Sequence, residues 1–229
     1  MEVMINQSAG LGDIFFCQKI AMKLMELGYE VYWPVIEEYR YISNYIHNGV
    51  IWRMSEKKRN EIYKLDLSHS TNYFRFKHNQ QLNDNIMQAK YKYANSQFSF
   101  AIGGWEDWQD YLKITRNSEE EKELEDIILN GVPDKFALVC NHFATNYLTL
   151  NKSIESDLPT VEIIKIPNVP IFSWCGIIEK ASEIRIPDSS FPYLVEVLNT
   201  TDNLYLYNRN YESNIRTKPI WKKGWTFVE

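Results

Sequence analysis

Two short clusters of small and acidic residues, one in each half of the chain, have the composition of turns that bind anions or sugars. The first contains Gly10, Gly12 and Asp13, between an apolar stretch at 3–5 and a stretch with helical periodicity. Glycines let a backbone approach a ligand closely, and the unpaired N–H groups at the start of a helix favour a negatively charged ligand. A carboxylate at Asp13 could accept a proton from a hydroxyl group of that ligand.

Asp13 also has a purely structural interpretation, as the residue that caps a helix. Aspartate is among the commonest N-cap residues, because its side chain accepts a hydrogen bond from an unpaired backbone N–H group. Position alone favours this capping interpretation over a catalytic one. The two neighbouring glycines are what point to a ligand site.

The second cluster is Asp188, Ser189 and Ser190, between an apolar stretch at 184–186 and a second helical pattern. A carboxylate, two hydroxyls and the N–H groups of a helix start suit a diphosphate together with the hydroxyls of a sugar. The same residues are also common helix caps. The spacing supports the two interpretations equally.

Alternating patterns place both clusters at the ends of strands. The sequence predicts strands at 3–6 and 30–35 with a helix at 13–27 between them, which Gly28 stops. Such an alternation forms a parallel sheet with crossover helices.

A second alternation follows a helix that Ser118 is expected to cap. Its predicted strands lie at 136–140, 161–166, 183–186 and 204–207, and its predicted helices at 171–181 and 191–198. The fold class that follows is α/β, with two Rossmann-like halves facing a cleft.

The two clusters together resemble the heptosyltransferase-type glycosyltransferases of family 9, which have the GT-B fold. The similarity rests on a G-x-G-D turn that ends at Asp13 and on the run 188–190, which is similar to the family's D-[ST]-G-x-x-H motif. Ser190 stands where that motif has glycine, and Tyr193 stands where it has histidine. The chain therefore resembles a short and divergent member of that family.

The resemblance implies a reaction in which a sugar moves from a nucleotide-diphosphate donor to the hydroxyl of a glycan or another acceptor. The reaction would invert the anomeric centre and need neither a metal ion nor a cofactor, with Asp13 as the base. His142, which follows a predicted strand, could face the same ligand, although a structural histidine is the more common case. The predicted substrate-binding residues are Gly10, Gly12, His142, Asp188, Ser189, Ser190 and Tyr193.

The two alternations suggest the division into domains, and the resemblance suggests the role of each. We expect an acceptor-side domain at 1–115 and a nucleotide-sugar-binding domain at 116–217. The tail at 218–229 is expected to pack back on the first half.

Two other functions stay open at this point. One is a GT-B-like module that binds a nucleotide-sugar without catalysis, and the other is a glycosyltransferase that acts on modified DNA. The net charge of −5 argues against a nucleic-acid partner, because phosphate binding needs a concentrated basic surface.

Several other classes lack sequence support. No D-x-D triplet occurs, and neither the four histidines nor the three cysteines have the spacing of zinc ligands. The first turn continues as neither a P-loop nor a dinucleotide fingerprint, which argues against ATPase and NAD-dependent activities. No stretch resembles a signal peptide or a membrane span, and an odd number of cysteines fits a reducing environment. We therefore expect a cytoplasmic protein.

Overall fold

We describe a computed structural model of the chain, which covers residues 1–68, 86–143, 148–209 and 217–229. The chain forms two compact units, Met1–Thr115 and Arg116–Glu229. Each unit is built around its own parallel sheet.

The sheet of the first unit contains β1 (Glu2–Ile5), β2 (Glu30–Tyr32) and β3 (Tyr63–Leu65). The strand order is β2-β1-β3, and both pairs are parallel. Among the described residues, the apolar run around residue 51 forms one parallel bridge, between Ile51 and Tyr32, rather than a strand. The central strand β1 is buried from Val3 onward, as expected for a parallel sheet covered on both faces.

The helix predicted at 13–27 is two helices, because Cys17 leaves the helical conformation (φ −86°, ψ 7°). Gly28 ends the second helix in the left-handed conformation (φ +85°), as predicted. In the described residues of this unit, the α-helices are α1 (Leu11–Phe16), α2 (Gln18–Glu26), α3 (Glu56–Glu61) and α4 (Ile86–Gln97), and the 3-10 helices are Glu37–Asn44 and Trp108–Tyr111.

The second unit has a five-stranded sheet made of β4 (Ala137–Val139), β7 (Thr160–Glu162), β8 (Glu183–Pro187), β9 (Leu204–Tyr207) and β10 (Thr226–Val228). The strand order is β10-β9-β8-β4-β7, and every neighbouring pair is parallel. A small antiparallel hairpin, β5 (His142–Phe143) with β6 (Leu148–Thr149), follows β4. The sequence patterns did not predict this hairpin, because two-residue strands are too short to show a periodicity.

The α-helices that the structure describes in the second unit are α5 (Ser118–Ile128), α6 (Cys175–Lys180) and α7 (Phe191–Val197), and the 3-10 helices are Ile171–Trp174 and Lys218–Ile220. The N-cap of α5 is Asn117 rather than Ser118. The Asn117 side chain accepts a hydrogen bond from the backbone N–H of Glu120 at 3.3 Å. The capping residue was therefore predicted one position too late.

The tail at 218–229 belongs to the second unit and supplies the edge strand β10 of its sheet. Glu196 on α7 holds the tail by accepting hydrogen bonds from the backbone N–H groups of Lys222 (3.1 Å) and Lys223 (3.2 Å) and from Trp225 Nε1 (2.7 Å). These contacts hold the tail within the second unit, and its expected packing on the first half stays a prediction.

All three cysteines are buried, and none of them forms a disulfide. Burial raises the pKa of Cys17, Cys140 and Cys175 to about 12, so these thiols are packing residues rather than nucleophiles. None of the helices in the described part of the chain is long and apolar enough to cross a membrane.

Candidate functional site

The first candidate site is the turn after β1. The N-cap of α1 is Gly10, which has φ +79° and makes no side-chain capping bond, so Asp13 is the third residue of the helix. The interpretation of Asp13 as an N-cap is therefore wrong. A Cβ on residue 10 would overlap with Asp13 Oδ2, which means that this carboxylate oxygen occupies the space left by the missing side chain.

The Asp13 carboxylate is held by a buried lysine from α4. Lys90 Nζ lies 3.1 Å from Asp13 Oδ1, and the Lys90 side chain is only 3% exposed whereas that of Asp13 is 29% exposed. The same ammonium group donates to Gln7 Oε1 at 2.6 Å and to the carbonyl oxygen of Leu67 at 3.0 Å. Three acceptors thus satisfy one buried cation, and Asp13 is the one among them that reaches the surface.

Lys90 joins the turns that follow two neighbouring strands. Gln7 lies in the turn after β1, and Leu67 lies in the turn after β3. These turns also contact each other, because Asn6 Nδ2 donates to Asp66 Oδ1 at 3.1 Å. Strand order changes direction between β1 and β3, and ligands of open parallel sheets bind at the carboxyl ends of the strands at such a point.

Gly10→Ala should lower both stability and any function of Asp13. The methyl group would be placed in a left-handed backbone conformation and against the Asp13 carboxylate. Gly28→Ala is the matched control, because Gly28 has a similar φ of +85° but a Cβ added there would meet no atom within 4 Å. We expect the control to lose about 1 kcal/mol of unfolding free energy and Gly10→Ala to lose at least about 1 kcal/mol more, as measured by urea titration. Equal losses would show that Asp13 does not depend on Gly10.

The second candidate site lies at the corresponding point of the second sheet. In chain order its strands are β4, β7, β8, β9 and β10, so the strand order changes direction between β4 and β8. The turn after β4 leads into His142, and the turn after β8 contains Asp188, Ser189 and Ser190. His142 and the cluster at 188–190 therefore flank the position where doubly wound sheets bind ligands.

The turn after β8 is held by its backbone. The N–H of Asp188 donates to the carbonyl oxygen of Tyr207 at 3.0 Å, and Arg209 Nε donates to the carbonyl oxygen of Asp188. Ser190 is the N-cap of α7, but its side chain makes no capping bond, so an ordinary side-chain cap is the wrong interpretation of this residue. Ser189 Oγ is buried and has no hydrogen-bond partner among the described residues. A buried hydroxyl without a partner is costly, which marks Ser189 as a group that a ligand could satisfy.

The remaining predicted residues divide between surface and core. His142 is partly exposed, with Nε2 4.0 Å from Glu162 Oε1 and Nδ1 3.5 Å from Thr149 Oγ1. Tyr193 is only 3% exposed, and its ring packs edge-to-face on Trp221 at a centroid distance of 4.7 Å. The structure thus places His142 at the carboxyl edge of the sheet and Tyr193 in the packing of α7 against the tail.

Two cations at these sites were not identified from the sequence. Lys90 did carry a signal, because Met87, Lys90, Tyr91 and Ala94 have the spacing of one buried helix face and a charged residue interrupts that face. Arg209 carried none, since it simply follows a strand. Within the described ranges, no group of three His, Cys, Asp or Glu side chains could hold a metal ion.

Comparisons with known proteins bear on the fold. No protein-family model matches this sequence, and no curated protein matches it significantly. A glycosyl transferase of family 9 from Veillonella parvula is structurally similar with a TM-score of 0.59 and 8% identity, over 100% of this chain and 86% of that chain. E. coli heptosyltransferase WaaC with ADP-2-deoxy-2-fluoro heptose is similar with a TM-score of 0.50 and 9% identity, over 100% of this chain and 93% of that chain. The predicted α/β class with two Rossmann-like units is confirmed, and the chain has the fold of the GT-B glycosyltransferases.

Proposed function

We propose that the chain is a glycosyltransferase that moves a sugar from a nucleotide-diphosphate donor to an acceptor hydroxyl, with inversion and without a metal ion. The observation that carries the proposal is the partly exposed Asp13 carboxylate, which a buried lysine holds at the carboxyl edge of the first sheet. A carboxylate fixed at the usual ligand-binding edge of a sheet is suited to a general base.

In the proposed step, the acceptor oxygen forms a bond to the anomeric carbon while the bond from that carbon to the diphosphate oxygen breaks. Asp13 takes the proton of the acceptor hydroxyl, and the diphosphate leaves with the bonding electrons. Lys90 binds Oδ1, so Oδ2, which lies over Gly10, is the oxygen that we assign to proton transfer. Gly10 and Gly12 keep side chains away from the acceptor.

The second unit is proposed to bind the donor. Its turns supply the Ser189 hydroxyl, which has no partner in the described part of the chain, the Asp188 carboxylate and the polar groups of His142 and Ser190. Two cations support a diphosphate there. Arg209 donates a hydrogen bond to the Asp188 carbonyl oxygen in the turn after β8. Lys152 Nζ lies 5.8 Å from the centre of the Tyr207 ring, at the end of β9. E. coli WaaC was solved with an ADP-sugar, which is the donor class proposed for this chain.

A thermal-shift screen of UDP-, GDP-, ADP- and CMP-sugars tests donor binding. We expect one nucleotide class to stabilise the chain, by about 2.7 kcal/mol at a ligand concentration of 100 Kd. Ser189→Ala should keep the unfolding free energy of the free chain within about 0.5 kcal/mol, because the hydroxyl has no partner among the described residues, and should weaken donor binding about tenfold. Unchanged affinity in this variant would remove Ser189 from the donor site.

A non-catalytic nucleotide-sugar-binding module is the second candidate. It is favoured by Ser190 and Tyr193, which replace the glycine and the histidine of the family's second motif, and by the burial of Tyr193. Stabilisation by a nucleotide-sugar that is never hydrolysed or transferred would select the module over the enzyme.

A further inference from the structure

A cavity of about 420 Å³ opens in the first unit, and none of the residues assigned above lines it. Its lining combines apolar residues with three arginines, Arg40, Arg53 and Arg59. Trp52 forms part of the wall and is held in place by a stack on the buried Trp33, with ring centroids 5.6 Å apart. The cavity therefore has an apolar wall fixed by the Trp52–Trp33 stack, and its lining also includes three cationic residues.

Few acidic side chains neutralise the three arginines of the cavity. Arg40 forms an exposed ion pair with Glu37 at 2.6 Å, within the same 3-10 helix. In the described part of the chain, neither Arg53 nor Arg59 forms an ion pair, and no acidic side chain lines the cavity. Three like charges around one opening repel each other, so an anion that enters relieves the repulsion and gains guanidinium hydrogen bonds.

The cavity adjoins the candidate base through its backbone. Pro34 and Val35 line the cavity, and the residues on either side of them, Trp33 and Ile36, form hydrogen bonds with the turn after β1. Trp33 Nε1 donates to the carbonyl oxygen of Gln7 at 2.8 Å, and the N–H of Ile36 donates to the carbonyl oxygen of Ser8 at 3.0 Å. A ligand in the cavity would therefore lie at the same edge of the sheet as the turn that leads to Asp13.

We infer that this cavity is a binding site for an anionic group, a phosphate monoester or a carboxylate, carried by a small organic molecule. The guanidinium forks of Arg53 and Arg59 bind the anion, with Arg40 as a third cation, and the apolar wall at Trp52 contacts the body of the molecule. The function proposed above assigns no ligand to this cavity, and binding here does not require that transfer occurs. If transfer does occur, an anchored anionic group selects acceptors beside Asp13.

The test is calorimetric titration of the whole chain with glucose 6-phosphate, glucuronate and glucose at constant ionic strength. We expect glucose 6-phosphate or glucuronate to bind and glucose not to bind. Arg53→Gln and Arg59→Gln should each weaken the binding about tenfold, the loss expected for one charge-assisted hydrogen bond. Lys57→Gln is the matched control, because Lys57 is an exposed cation on the same helix as Arg59 but does not line the cavity. It should change the affinity less than twofold.

Three results would overturn the inference. They are no binding of either anion, equal weakening by Lys57→Gln and the arginine variants, and full affinity in both arginine variants. All three arginines are exposed, so the variants should fold, and an unchanged unfolding midpoint in chloride buffer checks this. A titration with ADP in the presence of the anion distinguishes this site from the donor site. Competition between ADP and the anion would place the nucleotide in the first unit and contradict the proposed function instead.

Discussion

Lys90→Met should be among the most destabilising substitutions on α4, lowering the unfolding free energy by roughly 2–4 kcal/mol. Methionine matches the length of the lysine stem but donates no hydrogen bond. Gln7 Oε1 and the Leu67 carbonyl would lose their buried donor, and Asp13 would lose its counter-ion. Urea unfolding measures the loss. Lys92→Met on the same helix is the control, since Lys92 is exposed, and it should cost less than about 0.5 kcal/mol.

A double-mutant cycle separates positioning of Asp13 from a merely structural role of Lys90. If the two side chains act on each other, Lys90→Met combined with Asp13→Asn should cost less than the sum of the two single changes, with a coupling energy of about 1 kcal/mol or more. Lys90→Met should also lower kcat while the affinity for the donor stays the same, because the donor is assigned to the other unit. Additive stability losses and an unchanged kcat would reduce Lys90 to a packing residue.

Asp13→Asn should abolish transfer, with kcat about 10³-fold lower, because the amide keeps the shape of the side chain but cannot take the proton of the acceptor. Donor binding should change less than twofold, since Asp13 is not assigned to the donor. The measurement is initial-rate kinetics with the donor identified by the thermal-shift screen. Asp110→Asn, which changes an exposed carboxylate of the same unit, should leave the rate unchanged. Turnover near the wild-type rate in Asp13→Asn would remove Asp13 from the role of base.

The turns were predictable because their determinants are local. Gly10 follows an apolar run and precedes a helical pattern, and only glycine readily adopts its φ of +79°. The turn at 188–190 also lies between a strand and a helix, β8 and α7, as the patterns indicate. Local patterns could therefore place both clusters at the carboxyl ends of strands.

The chemistry within the turns was less predictable, because it depends on residues far apart in the chain. Lys90 and Gln7 are separated by 83 positions, and no periodicity links them. The capping interpretation of Asp13 failed because the helix begins two residues earlier, with Gly10 as its N-cap, and the lysine that binds the carboxylate comes from a distant helix. Strand β10 was missed because its neighbour β9 and the side chain of Glu196, rather than its own sequence, hold it in place.

The central claim is that the chain transfers a sugar, and release of nucleoside diphosphate from a nucleotide-sugar tests it most directly. Wild-type protein incubated with the donor that stabilises it should release the diphosphate slowly by hydrolysis and faster once a suitable hydroxyl acceptor is added. Asp13→Asn should bind the same donor and release none above background. A donor that binds tightly to the wild type but stays intact with every acceptor would contradict the account and identify the chain as a binding module.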